Sequence, residues 1–478
     1  MCGITGAVAL NHKTIDIDFT ERMVDIISHR GPDDAGYLFY HTGCRHIRKV
    51  SFFLDLTDKR FRSLSPLLPY IQDEYVQREL GRHDWDLFFG HRRLAIIDLS
   101  PSGHQPMSDL SKNIWIVYNG EIYNFKEIRL ELQNKGYTFR SETDTEVIIY
   151  SYIEWGIECI KRFNGMFAFA LYDNFKKYLF FVRDRYGIKP LYYTVINKDG
   201  KKTLIFGSEI KSILEYKDYS PELDYKALIE YFTFQNILTD RTLWKGIKIL
   251  PPGYYMSLNL NDPDPKLKKI QYWDFNFTDK FINKDKKELE VNLNTLFINA
   301  VKKQLIADVE IGAYLSGGID SGSITAITSK NFSSLKTFSI GFDKYSASGL
   351  ELSYDERPKA ELISYLYKTE HYEMVLKAGD MERCMKDLVW HLEDLRVGQS
   401  YPNYYIAKLA SKFVKVVLAG TGGDELFGGY PWRYYRTIKS ANFEEYIDNY
   451  YLYWQRLIPN KSIKAIFSPI WSEVKDVW

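Results

Sequence analysis

The chain has 478 residues, of which 45% are apolar and 26% are charged, a composition typical of a soluble globular protein. A net charge of +1 at pH 7 provides no basic footprint, so neither nucleic acid nor an anionic membrane is expected as a partner. The 4 cysteines are scattered, and no signal peptide or apolar run of about 18 residues is evident, which predicts a cytoplasmic protein without a zinc site or a disulfide framework.

From Cys2 to about residue 214, the pattern is rich in predicted strands interrupted by two helices. One helix is predicted to begin at Asn124, with Glu127 completing a capping box, and the other begins near Asp144. Residues 44–86 show no assignable pattern. The strands are predicted at 3–10, 114–118, 166–172, 178–182 and 204–206. This mixture predicts an α+β unit whose sheets pack face to face with helices outside.

The second half of the chain alternates strands with helices. Residues 215–286 are mixed in character and are interpreted as a connector. Beyond them, strands are predicted at 309–315, 336–342, 371–376 and 415–418. Such alternation predicts an α/β doubly wound parallel sheet, in which ligands bind at the carboxyl ends of the strands.

Cys2 is the first candidate for chemistry. Methionine before a small residue is normally removed, which would leave Cys2 with a free α-amine. That amine has an ordinary pKa of about 7.7–8.0, so it can act as the general base for its own thiol, whose ordinary pKa is about 8.5. Taken alone, a cysteine at position 2 is more readily explained as incidental.

Several other residues fit the needs of a site for free glutamine. Arg93, which opens a predicted strand at 93–97, suits the carboxylate of glutamine, and Glu121 and Asp144 suit its ammonium group. The Asn119 side chain and the Gly120 backbone N–H suit a developing oxyanion. Taken singly, Arg93 or Asp144 is more readily explained as a surface charge or a helix cap.

Seven motifs in order carry a family resemblance: MCGITG, HRGPDDAG, HRRLAIIDLSPSGHQPM, YNGEIYN, TDTE, NGMFAFALYD and RDRYGIKPLYY. From Cys2 to about Leu214 they resemble the class II glutamine amidotransferase domain of glutamine-hydrolysing asparagine synthetases. The resemblance implies an N-terminal-nucleophile hydrolase sandwich with Cys2 as nucleophile and Asn119 and Gly120 as oxyanion hole. It implies that glutamine is bound by Arg93, Leu94, Ile96, Ile97, Asn119, Gly120, Glu121 and Asp144. Thr143 in place of Ser and the long stretch 44–86 depart from the family pattern.

A Gly-rich turn follows the predicted strand 309–315 and opens a helix. Its sequence, SGGIDS from Ser316 to Ser321, lets backbone N–H groups and hydroxyls approach a phosphate. It lacks the lysine of the Walker pattern. It resembles SGGxDS, the pyrophosphate loop of enzymes that cleave ATP between the α- and β-phosphates. The alternative is a plain Gly-rich turn with a helix cap.

A second Gly-rich segment, AGTGGDELFGGY, follows the predicted strand 415–418. Asp424 in this segment and Asp320 in the first loop are expected to hold Mg²⁺ on the pyrophosphate, as hard oxygen ligands. The synthetase family is similar here, and the resemblance completes the predicted ATP site, which comprises Leu315, Ser316, Gly317, Gly318, Asp320, Ser321, Ile340 and Gly420. Thr421 stands where many members carry an acid, whose role would then be absent or taken by Glu425. The family pattern also continues past Trp478 with a helical segment containing basic residues, on which the synthetase prediction depends.

The sequence therefore predicts an ATP-dependent amidotransferase with a glutaminase domain at 2–214, a connector at 215–286 and a synthetase domain, an ATP pyrophosphatase-like unit, at 287–478. Glutamine, ATP with Mg²⁺ and an aspartate acceptor are the expected partners, and the products are asparagine, AMP and pyrophosphate. Three alternatives remain: a relative that acts on another carboxylate, an uncoupled glutaminase, and a non-enzymatic nucleotide-binding protein. A homodimer is left open.

Overall fold

The computed structural model describes residues 1–11, 14–42, 52–61, 67–277, 285–346, 349–352, 355–396, 400–455 and 457–475. Backbone contacts divide the chain into two units. The first comprises Met1–Asp224 and Thr239–Lys280, and the second comprises Tyr225–Leu238 and Phe281–Trp478.

Two antiparallel sheets form the first unit. Among the described residues, one sheet has the strand order β11-β9-β10-β1-β4-β2-β3 and the other has the order β13-β12-β8-β7-β6-β5. The strands are β1 (Gly3–Ala9), β2 (Asp34–His41), β3 (Phe52–Thr57), β4 (Leu87–Arg93), β5 (Met107–Ser108), β6 (Ile114–Ile122), β7 (Gly165–Asp173), β8 (Tyr178–Arg183), β9 (Tyr192–Lys198), β10 (Lys201–Gly207), β11 (Lys248–Ile249), β12 (Tyr254–Asn259) and β13 (Lys268–Gln271).

The core of this unit lies on both faces of the first sheet. Alternate side chains of β1 point to opposite faces, so that Ile4 and Val8 pack between the two sheets while Ala7 and Ala9 face the outer helices. The helices are α1 (Thr20–Asp25), α2 (Glu74–Arg82), α3 (Phe125–Asn134), α4 (Asp144–Trp155) and α5 (Ile210–Leu214). Since α4 contacts β6 on the second sheet, the layers are helix, sheet, sheet and helix, which confirms the predicted α+β sandwich.

Three local predictions in this unit are wrong. Arg93 ends β4 instead of opening a strand, and residues 94–97 form the following loop. β6 runs to Ile122, so the YNGEI segment lies within a strand because β7 pairs with it throughout. Asn124 precedes α3 but makes no side-chain capping bond; its amide instead donates to Arg162 O at 3.0 Å and accepts from Asn164 N at 2.8 Å.

The second unit contains a parallel sheet with the strand order β16-β15-β14-β17. Its strands are β14 (Ile311–Tyr314), β15 (Lys336–Phe342), β16 (Glu370–Leu376) and β17 (Val416–Leu418). Its helices are α6 (Tyr225–Phe234), α7 (Lys286–Lys303), α8 (Ile319–Thr328), α9 (Gly349–Leu352), α10 (Arg357–Tyr367), α11 (Asp380–Leu392), α12 (Ser400–Ala410), α13 (Gly423–Phe427), α14 (Phe443–Trp454), α15 (Asn460–Ile466) and α16 (Trp471–Val474).

Separate apolar clusters cover the two faces of this sheet, one around Ala313 and Leu335 and the other around Phe338 and Ala410, which confirms the predicted doubly wound fold. The chain moves outward from β14 to β16 and then returns to place β17 beside β14. The strand order therefore reverses between β14 and β17, and the loops that follow these two strands meet at the carboxyl edge of the sheet. Such a switch point is where ligands bind in open α/β sheets.

The predicted connector, 215–286, carries elements of both units. β11, β12 and β13 extend the two sheets of the first unit, whereas α6 packs with α15 and α16 in a cluster of the second unit. The domain boundaries stated from the sequence stay a prediction. Within the described ranges, no helix is both long and apolar enough to cross a bilayer.

Candidate active sites

Cys2 lies at the entry to β1, against the loop that follows β4. Its sulfur accepts a hydrogen bond from Leu94 N at 3.4 Å, and Sγ lies 3.7 Å from Leu94 O. The pairing of Gly3 with Arg92 brings the two segments together. The thiol is thereby fixed at one end of the first sheet.

Two ionisable groups meet at this position. Burial raises the pKa of the Cys2 thiol, while the neighbouring amine and the charge of Arg93 oppose that rise. In the chain headed by Met1, the amine belongs to Met1; burial lowers its pKa to about 5, and the nearby Arg30 and Lys189 also lower it. An amine with a pKa this low is neutral at pH 7 and can accept a proton.

Asn119 presents a polar group without a partner. It lies on β6 and is fully buried, and neither its amide nitrogen nor its amide oxygen has a hydrogen-bond partner among the described residues. Leaving a buried amide unpaired costs about 1–3 kcal/mol. The Asn119 amide is therefore suited to form hydrogen bonds with a polar group of a bound ligand. At the adjacent Gly120, a Cβ atom would lie 2.3 Å from Met166 O, so only glycine allows β6 and β7 to approach this closely.

Glu121, which is half-buried, and Asp144, which is buried, form a pair of acids coupled by charge. Asp144 opens α4 and accepts hydrogen bonds from Tyr118 OH at 2.7 Å and Ile122 N at 2.8 Å. Burial nevertheless raises the pKa of Asp144 to about 6. Burial and then the charge of Asp144 raise the pKa of Glu121 to about 8. Two carboxyl groups that resist ionisation together would be stabilised by a bound cation, such as an ammonium group.

The guanidinium of Arg93 forms its hydrogen bonds with the loop that follows β4. Its terminal nitrogens donate to Ser100 O at 2.9 Å, to Ile97 O at 3.4 Å and to Asp98 O. The guanidinium therefore shapes the 94–100 segment, in which Leu94 contacts the sulfur and Ile96 and Ile97 are half-buried. Its role toward a substrate carboxylate stays a prediction.

Sequence reasoning missed two residues that organise this site. Gln105 accepts from Tyr118 N at 2.8 Å and donates to Thr145 Oγ1 at 3.3 Å, so it ties the residue before Asn119 to the residue after Asp144. Lys189 is coupled by charge to Glu121 and Cys2. Both residues stand in quoted motifs, HQPM and RDRYGIKPLYY, but a motif alone does not reveal which atoms it joins.

In the second unit, a cavity of about 450 Å³ lies at the carboxyl edge of the parallel sheet. It is lined by the loop after β14, the loop after β17 and parts of β15, α10 and α12. Of the residues predicted to bind ATP, those that line this cavity are Leu315, Ser316, Gly318, Asp320, Ser321, Ile340 and Gly420. Gly317 is not among the lining residues and packs against Lys359, whose Cβ would lie 2.6 Å from a Cβ at Gly317.

Hydroxyl groups hold the first loop in shape. Ser321 Oγ lies 2.9 Å from Ser316 Oγ and accepts from Ser316 N at 3.1 Å, while Gly318 N donates to Ser316 Oγ at 3.2 Å. These bonds form a tight turn that directs the loop toward the N-terminus of α8. Such a turn suits an anion, since its backbone N–H groups and the helix dipole both favour negative charge.

The second loop closes on the first. A Cβ at Gly420 would lie 2.7 Å from Ser321 N, and one at Gly423 would lie 2.2 Å from Asp320 Oδ2. Asp424, Thr421 and Glu425 also line the cavity. Glu425 accepts from Gly422 N at 3.1 Å and so caps α13.

Asp320 and Asp424 are the two carboxylates predicted to hold Mg²⁺. Asp320 and Asp424 line one cavity and offer hard oxygen donors, which fits Mg²⁺. In the described part of the chain, no three His, Cys, Asp or Glu side chains converge as a metal site. Binding of Mg²⁺ by these two carboxylates stays a prediction.

Comparison with known proteins matches both units. A glutamine amidotransferase domain matches residues 79–273, and an asparagine synthase domain matches residues 292–475. The chain is 33% identical to asparagine synthetase [glutamine-hydrolyzing] 3 of Bacillus subtilis, over 92% of this chain and 65% of the relative. It is 32% identical to synthetase 1 of the same organism, over 90% of this chain and 59% of the relative.

A third relative is matched over a larger share of its length. The putative asparagine synthetase [glutamine-hydrolyzing] 2 of Methanocaldococcus jannaschii is 34% identical, over 90% of this chain and 76% of the relative. The chain thus spans roughly three fifths to three quarters of the length of these relatives. With both domains present and this relative 34% identical over 76% of its length, the chain belongs to the family of glutamine-hydrolysing asparagine synthetases.

Proposed function

We propose that this protein is a glutamine-dependent asparagine synthetase. The observation that carries the proposal is Cys2, held against Leu94 and coupled by charge to Glu121, in the same unit as Asp144 and as Asn119, whose amide has no hydrogen-bond partner among the described residues. These groups supply what hydrolysis of free glutamine needs: a nucleophile, an oxyanion donor and partners for an ammonium group.

In the first reaction, removal of Met1 gives Cys2 a free amine, which takes the proton of its thiol. The thiolate attacks the side-chain carbonyl carbon of glutamine, and the Asn119 amide and Gly120 N–H stabilise the oxyanion. The amine returns the proton to the leaving nitrogen, which departs as ammonia and leaves a thioester. Water then hydrolyses this thioester to glutamate and restores the thiol.

In the second reaction, the cavity at the switch point binds ATP, with the SGGIDS turn around the phosphates. The carboxylate of aspartate attacks the α-phosphorus and displaces pyrophosphate. Ammonia attacks the resulting acyl adenylate, and AMP leaves as asparagine forms. Mg²⁺ held by Asp320 and Asp424 would offset the phosphate charge. The acceptor, a homodimer and a cytoplasmic location stay predictions.

A second candidate is an uncoupled glutaminase. One observation that favours it is Thr421, which lines the cavity but has no charge, where many family members carry an acid. The other is Glu425, whose carboxylate caps α13 and so does not take the place of that acid. Thr421→Glu provides a direct comparison. If the absent acid limits synthesis, this variant should form asparagine faster than the wild type at an unchanged glutaminase rate.

The deciding experiment incubates the protein with amide-¹⁵N glutamine, aspartate, ATP and Mg²⁺ and identifies the products by mass spectrometry. Labelled asparagine together with AMP and pyrophosphate supports the synthetase. Glutamate and labelled ammonia without asparagine support the uncoupled glutaminase. Cys2→Ala is the control, since it should abolish use of glutamine while sparing synthesis from added ammonia; equal loss of both activities would contradict the two-site proposal.

A further inference from the structure

A buried carboxylate, Glu209, lies directly before α5 and gathers cations from two segments. Only 6% of the residue is exposed. Its Oε1 accepts from Arg30 Nη1 at 2.9 Å and lies 3.0 Å from His29 Nε2, and its Oε2 accepts from Lys211 Nζ at 2.6 Å. Burial alone would raise the pKa of Glu209, but these partners outweigh burial and hold the pKa well below its ordinary range. Glu209 is therefore ionised at any pH at which an enzyme works.

This cluster is connected to the nucleophile through Arg30. Arg30 Nε donates to the carbonyl oxygen of Cys2 at 2.9 Å, while Nη1 of the same guanidinium is held by Glu209. The segment that carries Glu209 is also fixed to β1, because Ser208 N donates to Ile4 O at 2.8 Å and Ser208 Oγ accepts from Ile4 N at 3.0 Å. The carboxylate thus holds the cation that contacts the Cys2 backbone.

The contact of Arg30 with Cys2 also has an electrostatic effect, because charged side chains around Cys2 shift the pKa values of the amine and the thiol. Arg30 and Lys189 lower the pKa of the amine at the chain start, and Glu121 raises it. Arg93 likewise lowers the pKa of the Cys2 thiol, and Glu121 raises it. The side chain of Arg30 is 8% exposed, and its Nη2 has no hydrogen-bond partner in the described ranges. Its charge is hence offset mainly by Glu209.

On the basis of the proposed glutaminase function, we propose that Glu209 is a positioning residue of the Cys2 centre. It holds Arg30 on the Cys2 carbonyl and offsets the positive charge that the amine and thiol of Cys2 experience. No contact of Glu209 with substrate is required. The expected consequences are an altered titration of Cys2 and a slower chemical step, with little change in substrate affinity.

Two substitutions shift the charge of the cluster in opposite directions. Glu209→Gln removes a negative charge, so the deprotonated thiolate and the neutral amine are favoured and the midpoints of the coupled pair should fall by about half to one pH unit. Lys211→Gln removes a positive charge and should raise the midpoints by a similar amount. A residue with a merely structural role would not give shifts of opposite sign.

The test uses the mature chain beginning at Cys2. The rate at which iodoacetamide alkylates Cys2 is followed from pH 5 to 10 by peptide mass spectrometry, which separates Cys2 from the other cysteines. Glu209→Asp keeps the charge and should keep the midpoint. The matched control is Glu215→Gln, which breaks the surface pair between Arg22 and Glu215 and should leave the profile unchanged.

Glutaminase kinetics complete the test. In Glu209→Gln, kcat should fall about tenfold with KM nearly unchanged, and Glu209→Asp should recover part of that loss. Midpoints that do not move, or that move in the same direction in Glu209→Gln and Lys211→Gln, would overturn the proposal. If circular dichroism shows that Glu209→Gln does not fold, Lys211→Gln decides: an upward shift supports the proposal, and any other result overturns it. If the variants show these shifts and the wild-type protein has no glutaminase activity, the proposed function is refuted and the role of Glu209 at Cys2 stands.

Discussion

Replacing Asn119 with leucine separates a catalytic role of its amide from a structural one. The two side chains have the same number of heavy atoms and the same branch at Cγ, so the shape of the side chain inside the sandwich is nearly kept. The amide of Asn119 makes no hydrogen bond within the described structure, and the residue is fully buried. Replacing the amide of Asn119 should therefore break no hydrogen bond within the described structure. It should also relieve the free-energy penalty of burying an unpaired polar group.

The expected effects have opposite signs. Loss of an oxyanion donor should lower kcat for glutamine hydrolysis by about 10²–10³-fold, equivalent to about 2.7–4 kcal/mol of transition-state stabilisation. Loss of the unpaired amide should raise the free energy of unfolding by about 1 kcal/mol, which corresponds to a rise in Tm of about 2–4 °C for a unit of this size. Steady-state glutaminase assays and calorimetry measure the two quantities on one preparation.

Asn124→Leu is the matched control. Its amide makes two hydrogen bonds, with Arg162 O and Asn164 N, and takes no part in the site. This variant should lose about 1–2 kcal/mol of stability and keep its kcat. An Asn119→Leu protein that is destabilised by more than 1 kcal/mol, or that hydrolyses glutamine at the wild-type rate, would refute the reasoning.

Three further predictions concern charge, close packing and the nucleotide loop. Glu121, with a pKa of about 8 against an ordinary 4.5, binds its proton more tightly in the folded state, so its contribution lowers the free energy of unfolding as pH rises from about 4.5 to about 8. Glu121→Gln should flatten that dependence in urea titrations and raise the KM for glutamine; an unchanged KM would argue against an ammonium partner. Gly103→Ala should lower glutaminase kcat/KM at least tenfold, because its Cβ would lie 1.8 Å from Arg93 Nη2, and wild-type kinetics would show that the loop adapts. Asp320→Asn should stop pyrophosphate release while glutaminase activity persists, and undiminished pyrophosphate would mean that the loop is misassigned.

Much of the architecture was predictable from local pattern. The 336–342 strand has the predicted bounds, and the 166–172 and 178–182 strands form the predicted hairpin with small changes at their ends. Their alternating or continuous apolar residues and their turn residues act over a few positions, so no distant contact is needed to recognise them. The SGGIDS turn was predictable for the same reason, whereas Cys2 became a candidate nucleophile only together with the seven ordered motifs.

The tertiary structure decided which of these segments meet. Arg93 looked like the start of a strand because residues 94–97 are apolar. Pairing with β1 and β2 nevertheless ends β4 at Arg93, and the next four residues form a loop beside the thiol. Asn124 resembled a helix cap, but a partner 40 residues away took its amide.

The sequence by itself determined the fold class and pointed to Cys2 as a candidate nucleophile and to SGGIDS as a candidate phosphate turn, because periodicity and short motifs are read from residues close together in the chain. It could not reveal that Glu209 holds Arg30, 179 positions away in the chain, against Cys2, or that the Asn119 amide has no hydrogen-bond partner among the described residues. Such facts depend on strand pairing and burial, which bring distant residues to hydrogen-bond distance and remove water from between them. Only the folded chain fixes those distances.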